Sequence, residues 1–281
     1  MAAPLFLARR VRWILFDVTE TLLRFHPSIG QIYFNAAKRC QISLNSTVSP
    51  EEFEQSFRKA YKHISHDHPC FGYYSHMPER NWWQEVVRLT LKGVEKDSIF
   101  SNDDYSRYFR QVYQEFACSN SYYVYPDALE MLETLQQENR YHLGIITNSP
   151  SRTVETSLPT LNLHHYFRFC VCSTDFGKLK PDPLIFQQAY HQIQFFDKFI
   201  EHPEEVLYIG NNLELDYVGA RNYGFQSLLI GMFFEFSLLT SLYLSCFCCT
   251  IDRNGNYRDL GSVAIRKMTD LKFLLKESQK S

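Results

Sequence analysis

Five short apolar runs punctuate the chain, and the polar residues that end them limit the fold more than any other feature. Residues 11–16, 142–147, 169–173, 206–209 and 227–230 are each a few residues long and rich in Val, Ile, Leu and Phe. Their polarity is flat rather than alternating, as expected of parallel strands covered on both faces. Helical patterns separate them. In 127–139, Leu129, Leu132 and Leu135 share a face, and 183–193 opens with Asp182 as N-cap and Pro183 at the first helical position. A shorter pattern, 217–223, is closed by Gly224. Strands alternating with helices predict an α/β fold: a doubly wound, mostly parallel, Rossmann-like sheet.

The interval between the first and second runs reads differently. Helical patterns at 29–40, 50–65, 79–91 and 102–117 are separated by breakers at 45–49, 68–74 and 93–97. The expected organisation is a core of residues 1–24 and 121–281 with an all-helical cap, 25–120, inserted after the first strand. An insertion there hangs over the carboxyl ends of the strands.

Bulk properties exclude more than they assign. At 281 residues with 45% hydrophobic and 21% charged side chains the chain is an ordinary globular one, and 16% aromatics predicts a tightly filled core or an aromatic-lined cavity. A formal charge of −2 gives no electrostatic case for nucleic acid or an anionic membrane. Cys40, Cys70, Cys118, Cys170, Cys172, Cys246, Cys248 and Cys249 are irregularly spread, and the Cys246–Cys249 cluster has no second half of a ligand set nearby, which favours free thiols in a reducing, intracellular setting, cytoplasmic or nuclear. The apolar part of the N-terminus, Ala2 to Ala8, is too short for a secretory signal, and a mitochondrial presequence is the weaker alternative. Residues 232–251 are long and apolar enough to span a membrane. Because a strand-and-helix pattern resumes at Ser262, they read instead as an insertion into the core, with inclusion of sequence foreign to the fold as a third reading.

Polar groups recur at the strand ends: Asp17 after the first, Thr147 and Asn148 after the second, Lys180 in Lys180-Pro181-Asp182-Pro183 after the third, and Asn211 through Asp216 after the fourth. In an open α/β sheet these converge on one crevice. A carboxylate, a hydroxyl, an ammonium and further oxygens together make an anion-handling site: the carboxylate attacks, hydroxyl and main-chain N–H groups hold oxygens, and the lysine offsets charge.

This order of motifs resembles the haloacid dehalogenase superfamily, whose pattern is strand-D-x-D-x-T, strand-S/T, a lysine often in KPDP, and GDxxxxD. The stretches from Arg80 to Val87 and from Asn212 to Arg221 resemble its domain-containing protein 3 group in particular. The resemblance implies a Rossmann-like core with a helical cap and a magnesium-dependent phosphatase acting on a small phosphorylated metabolite. It makes Asp17 the nucleophile that carries the phosphoryl group. Thr147 and Asn148 hold phosphate oxygens, Lys180 neutralises charge on nucleophile and phosphate, and Asp17, Asn211, Asp216 and the main-chain carbonyl of Thr19 serve the magnesium ion. Two departures bear on activity. Thr19 stands where the family's phosphatases have an acid that protonates the leaving group, a contribution worth about 10²–10⁴-fold. Asn211 stands where they have a charged metal ligand. Glu20 is adjacent but should face the other way. Weak turnover is the expectation. A catalytically silent binding or scaffold protein on the same fold is the alternative, and metal-independent dehalogenation ranks third. Trp82 and Trp83 read as cap core, since neighbours cannot both face one pocket, and His63, His66, His68 and His76 read as solvated. The sequence carries no signal for oligomeric state.

Overall fold

The structure is a computed structural model and describes residues 11–94, 101–230, 264–265, 268–272 and 275. Its strands are β1 (Trp13–Phe16), β2 (Leu23–Phe25), β3 (Tyr122–Val124), β4 (His142–Thr147), β5 (Cys170–Cys172), β6 (Val206–Gly210), β7 (Gln226–Ile230) and β8 (Ala264–Ile265). Its α-helices are α1 (Ile29–Arg39), α2 (Pro50–Asp67), α3 (Glu79–Val94), α4 (Asn102–Glu115), α5 (Pro126–Glu138), α6 (Ser151–Thr160), α7 (Ser173–Phe176), α8 (Pro183–Phe196) and α9 (Gly219–Tyr223).

Six strands form one parallel sheet in the order β5-β4-β1-β6-β7-β8. All four residues of β1 are fully buried. Ile14 and Phe16 pack on one face with Leu132, Leu143 and Leu207, while Trp13 and Leu15 pack on the other with Ile185, Phe186 and Ile193. That two-sided burial is why the run is apolar at every position. The chain steps outward from β1 to β4 and β5, then returns to the far side of β1 for β6, β7 and β8. The reversal opens a crevice at the carboxyl end of β1. Register aligns the edge: Phe16 lies opposite both Ile145 and Ile209, so Asp17, Thr147 and Asn211 emerge together.

Helices α1 to α4 lie between β2 and β3, which pair antiparallel as a two-stranded ribbon. They share a separate apolar core that includes Tyr33, Phe53, Trp82, Val86 and Tyr108. Local signals set their starts: Ser49 and Glu52 form a reciprocal capping box ahead of α2, with Pro50 in its first turn. The cap seats on the core at Gly177, whose carbonyl accepts from the Tyr74 hydroxyl at 2.7 Å and the Cys70 thiol at 3.3 Å. Gly177 has φ +74°, and a Cβ there would lie 2.4 Å from Cδ1 of Tyr73, so both conformation and closeness require glycine.

Three features depart from the sequence reading. The β2–β3 ribbon was not anticipated, because three-residue strands carry no usable periodicity. Helix α6 was also not anticipated, since its sequence is polar and carries Pro159. The helix expected at 217–223 starts earlier, as a π-helical turn (Leu213–Val218) continuous with α9, because the Asn212 side chain accepts from Glu214 N and Leu215 N and caps it there. Residues 232–251 and Cys246, Cys248 and Cys249 lie outside the described residues. Among the described residues the five cysteines are free, and no helix is long and apolar enough to cross a membrane.

Candidate active site

Asp17 follows β1 directly, and its N–H donates to Ile209 O at 2.9 Å, which extends the ladder one residue and fixes the carboxylate at the sheet edge. Lys180 approaches from the loop ahead of α8. Its ammonium donates to Asp17 Oδ1 at 2.7 Å, Asp216 Oδ1 at 2.6 Å and the Tyr208 hydroxyl at 2.8 Å. An ammonium has three protons, so every donor is used. All four side chains are buried. Burial alone would lower the Lys180 pKa, but the two carboxylates outweigh it and raise it. For Asp17 burial dominates and pushes the carboxyl up, reinforced by Asp216 and opposed by Lys180. The triad retains one net negative charge.

Neighbouring groups hold this arrangement. Asn148 clamps the main chain of Lys180, accepting from its N–H at 2.7 Å and donating to its carbonyl at 3.1 Å. The expected contact of Asn148 with phosphate is therefore left to its second amide proton or its main chain. Thr147 Oγ1 accepts from Ser149 N at 3.1 Å, which leaves its hydroxyl proton for an oxygen in the cavity it lines. Asp216 sits within the π-helical turn, and its Oδ2 accepts from Asn212 N at 2.9 Å. Gly210 makes room for it: a Cβ there would lie 2.3 Å from the Asp216 carboxyl carbon.

Thr19 lines the same cavity, with its hydroxyl 3.4 Å from that of Ser149. Glu20 turns away and accepts from the Tyr125 hydroxyl at 2.8 Å, so it does not supply the acid that Thr19 lacks. Glu214, a carboxylate near Asn211 in sequence, is exposed and does not line the cavity. Asp17 Oδ2 and Asn211 Oδ1 both face the Thr21 hydroxyl, each at 3.4 Å. These two oxygens and the Thr19 carbonyl are hard donors that fit a magnesium ion when a substrate phosphate completes the shell. Both oxygens of Asp216 already accept from protein donors: Oδ1 from Lys180 and Tyr208, Oδ2 from Asn212 N. Among the described residues no three His, Cys, Asp or Glu side chains cluster to hold a metal. His63 and His66 are solvated.

The crevice continues under the cap as a cavity of about 390 Å³. Trp82 is buried in the cap core, while Trp83 lines this cavity, so the adjacent pair divides between core and pocket. Sequence reasoning missed Tyr208, Glu79 and Arg152. Tyr208 was detectable in principle, since a tyrosine in the middle of a buried strand must place its hydroxyl against a partner. Glu79 and Arg152 gave no signal, because only the seating of the cap brings them to the cavity.

The chain belongs to the haloacid dehalogenase-like hydrolase family, whose model matches residues 11–224. Within that family it is similar to haloacid dehalogenase-like hydrolase domain-containing protein 3. The Xenopus laevis protein is 31% identical over 222 residues, covering 78% of this chain and 84% of that one. The Homo sapiens protein is 31% identical over 225 residues, covering 79% and 82%. The magnesium-bound HAD-hydrolase YfnB of Bacillus subtilis shares the fold at 19% identity, with a TM-score of 0.62 over 95% of this chain and all of that one.

Proposed function

We propose that this protein is a magnesium-dependent phosphatase that acts on a small phosphorylated metabolite through a phosphoryl group carried on Asp17. The observation that carries this reading is the buried Asp17 carboxylate, 2.7 Å from a buried ammonium, at the mouth of a cavity. In the first half-reaction the Asp17 carboxylate attacks phosphorus, an oxygen–phosphorus bond forms, and the bond to the leaving oxygen breaks. Lys180 offsets the charge that develops, and the Thr147 hydroxyl donates to a phosphoryl oxygen. A bound magnesium ion, held by Asp17, Asn211 and the Thr19 carbonyl, would supply further charge stabilisation. The leaving alkoxide takes its proton from water, because Thr19 has none to give near neutral pH. In the second half-reaction water attacks phosphorus, inorganic phosphate departs and Asp17 is restored. Both halves run without a positioned acid or base, so turnover is slow.

The test is phosphate release by purified protein from aryl and alkyl phosphates with and without magnesium. The expected result is slow, magnesium-dependent release that Asp17→Asn abolishes. Absence of release, and of any phosphoryl group on Asp17, overturns the reading.

A second reading, a silent binding protein, is favoured by the pairing of Thr19 with Ser149 in place of an acid. Reversion separates the two. On the phosphatase reading, Thr19→Asp with Asn211→Asp raises an existing rate by about 10²-fold or more. On the silent reading, it creates a rate where the native protein shows none.

A further inference from the structure

The cavity beyond Asp17 has a wall and an end whose chemistry the phosphoryl site does not use. The wall is a contiguous run of aromatic rings: Tyr33 and Phe57 at 5.5 Å between centroids, Phe57 and Tyr61 at 5.7 Å, Tyr61 and Trp83 at 6.1 Å. All four rings line the cavity. At the cap side lies Glu79, the first residue of α3. Its Oε1 is buried and has no hydrogen-bond partner. Apart from the Asp17–Lys180–Asp216 triad, Glu79 and Arg152 are the charged residues that line this cavity. Arg152 is already engaged: it donates to Tyr113 O at 3.0 Å and lies 3.6 Å over the Tyr113 ring. Glu79 therefore offers, at Oε1, an acceptor that no donor among the described residues meets, while Trp83 hydrogen-bonds to its carboxyl. Burial pushes its carboxyl up, and Arg152 and Trp83 pull it back.

An unmet buried acceptor is costly, and a ligand donor that meets it gains specificity as well as affinity. Aromatic rings at these spacings present edges and faces to a flat guest. A volume of about 390 Å³ holds far more than a phosphate. Building on the phosphatase reading above, we propose that the substrate's leaving group is an aromatic ring that lies against the Tyr33–Phe57–Tyr61–Trp83 wall and carries a hydrogen-bond donor accepted by Glu79. The proposal concerns binding and selectivity. Glu79 positions the leaving group and takes no part in bond making.

Non-hydrolysable probes test it without turnover. Three phosphonates are titrated against the full chain with magnesium present, with Trp83 fluorescence and calorimetry as readouts: 4-(aminomethyl)benzylphosphonate, benzylphosphonate and methylphosphonate. The expected order has the amino-bearing probe about tenfold or more tighter than benzylphosphonate, and benzylphosphonate about tenfold or more tighter than methylphosphonate. Glu79→Leu should erase the first preference and keep the second, and Glu79→Gln, which keeps shape and loses charge, should weaken the first. Methylphosphonate binding as tightly as benzylphosphonate, a donor preference that survives Glu79→Leu, or no binding at millimolar concentration overturns the proposal. Failure of phosphate release with the binding order intact counts against the phosphatase reading alone.

Discussion

Lys180 shows how one side chain holds a site together. Its three protons meet Asp17, Asp216 and Tyr208, and each partner is itself buried. Burying an ammonium is tolerable only with this much compensation. Lys180→Met leaves two carboxylates facing each other without a cation. The expected loss is about 3–5 kcal/mol, read by denaturant unfolding. Phosphate release falls with it. At this scale the sequence was informative where a residue's chemistry is anomalous for its place: a carboxylate ending a buried strand had to have a partner. For Tyr208 it signalled that a buried hydroxyl needs a partner but not that the partners are Lys180 and Asp216.

Elements place these residues through features smaller than a strand or helix. The π-helical turn Leu213–Val218 widens the chain enough to lower Asp216 onto Lys180, and Gly210, at the end of β6, leaves the gap that the carboxyl occupies. Gly210→Ala puts a Cβ 2.3 Å from the Asp216 carboxyl carbon. It should cost about 1–3 kcal/mol, seen as a lower Tm, and should reduce activity by more than the loss of folded protein explains. The five core strands were recognisable because burial on both faces makes the whole run apolar. The β2–β3 ribbon, helix α6 and the π-helical turn were not. The π-helical turn depends on a local side-chain cap, whereas the ribbon is held by neighbours distant in the chain, as where Tyr125 N donates to Leu22 O across 103 positions.

At the scale of the whole molecule, cap and core each have an apolar core of their own, and the cavity lies between them. Asp17 and Asp216 share the Lys180 ammonium, a partner that belongs to the chain itself. Chelation should stop phosphate release while leaving Tm within about a degree or two, since a weakly held ion adds little to stability. A large fall in Tm on chelation would show that the carboxylates depend on the ion after all. What the sequence determined by itself was the alternation of buried strands and helices, the helical insertion, and the identity of Asp17, Thr147, Lys180 and Asn211 at the strand ends, because periodicity and misplaced polarity are local properties. What only the tertiary structure decided was which lone pairs remain free. Asn148 is turned to Lys180, Glu20 to Tyr125 and Asp216 to Lys180, while Oε1 of Glu79 is brought to the cavity without a hydrogen-bond partner. Hydrogen-bond commitments of that kind depend on partners tens to hundreds of residues apart, and only the folded chain brings those partners within 3 Å of one another.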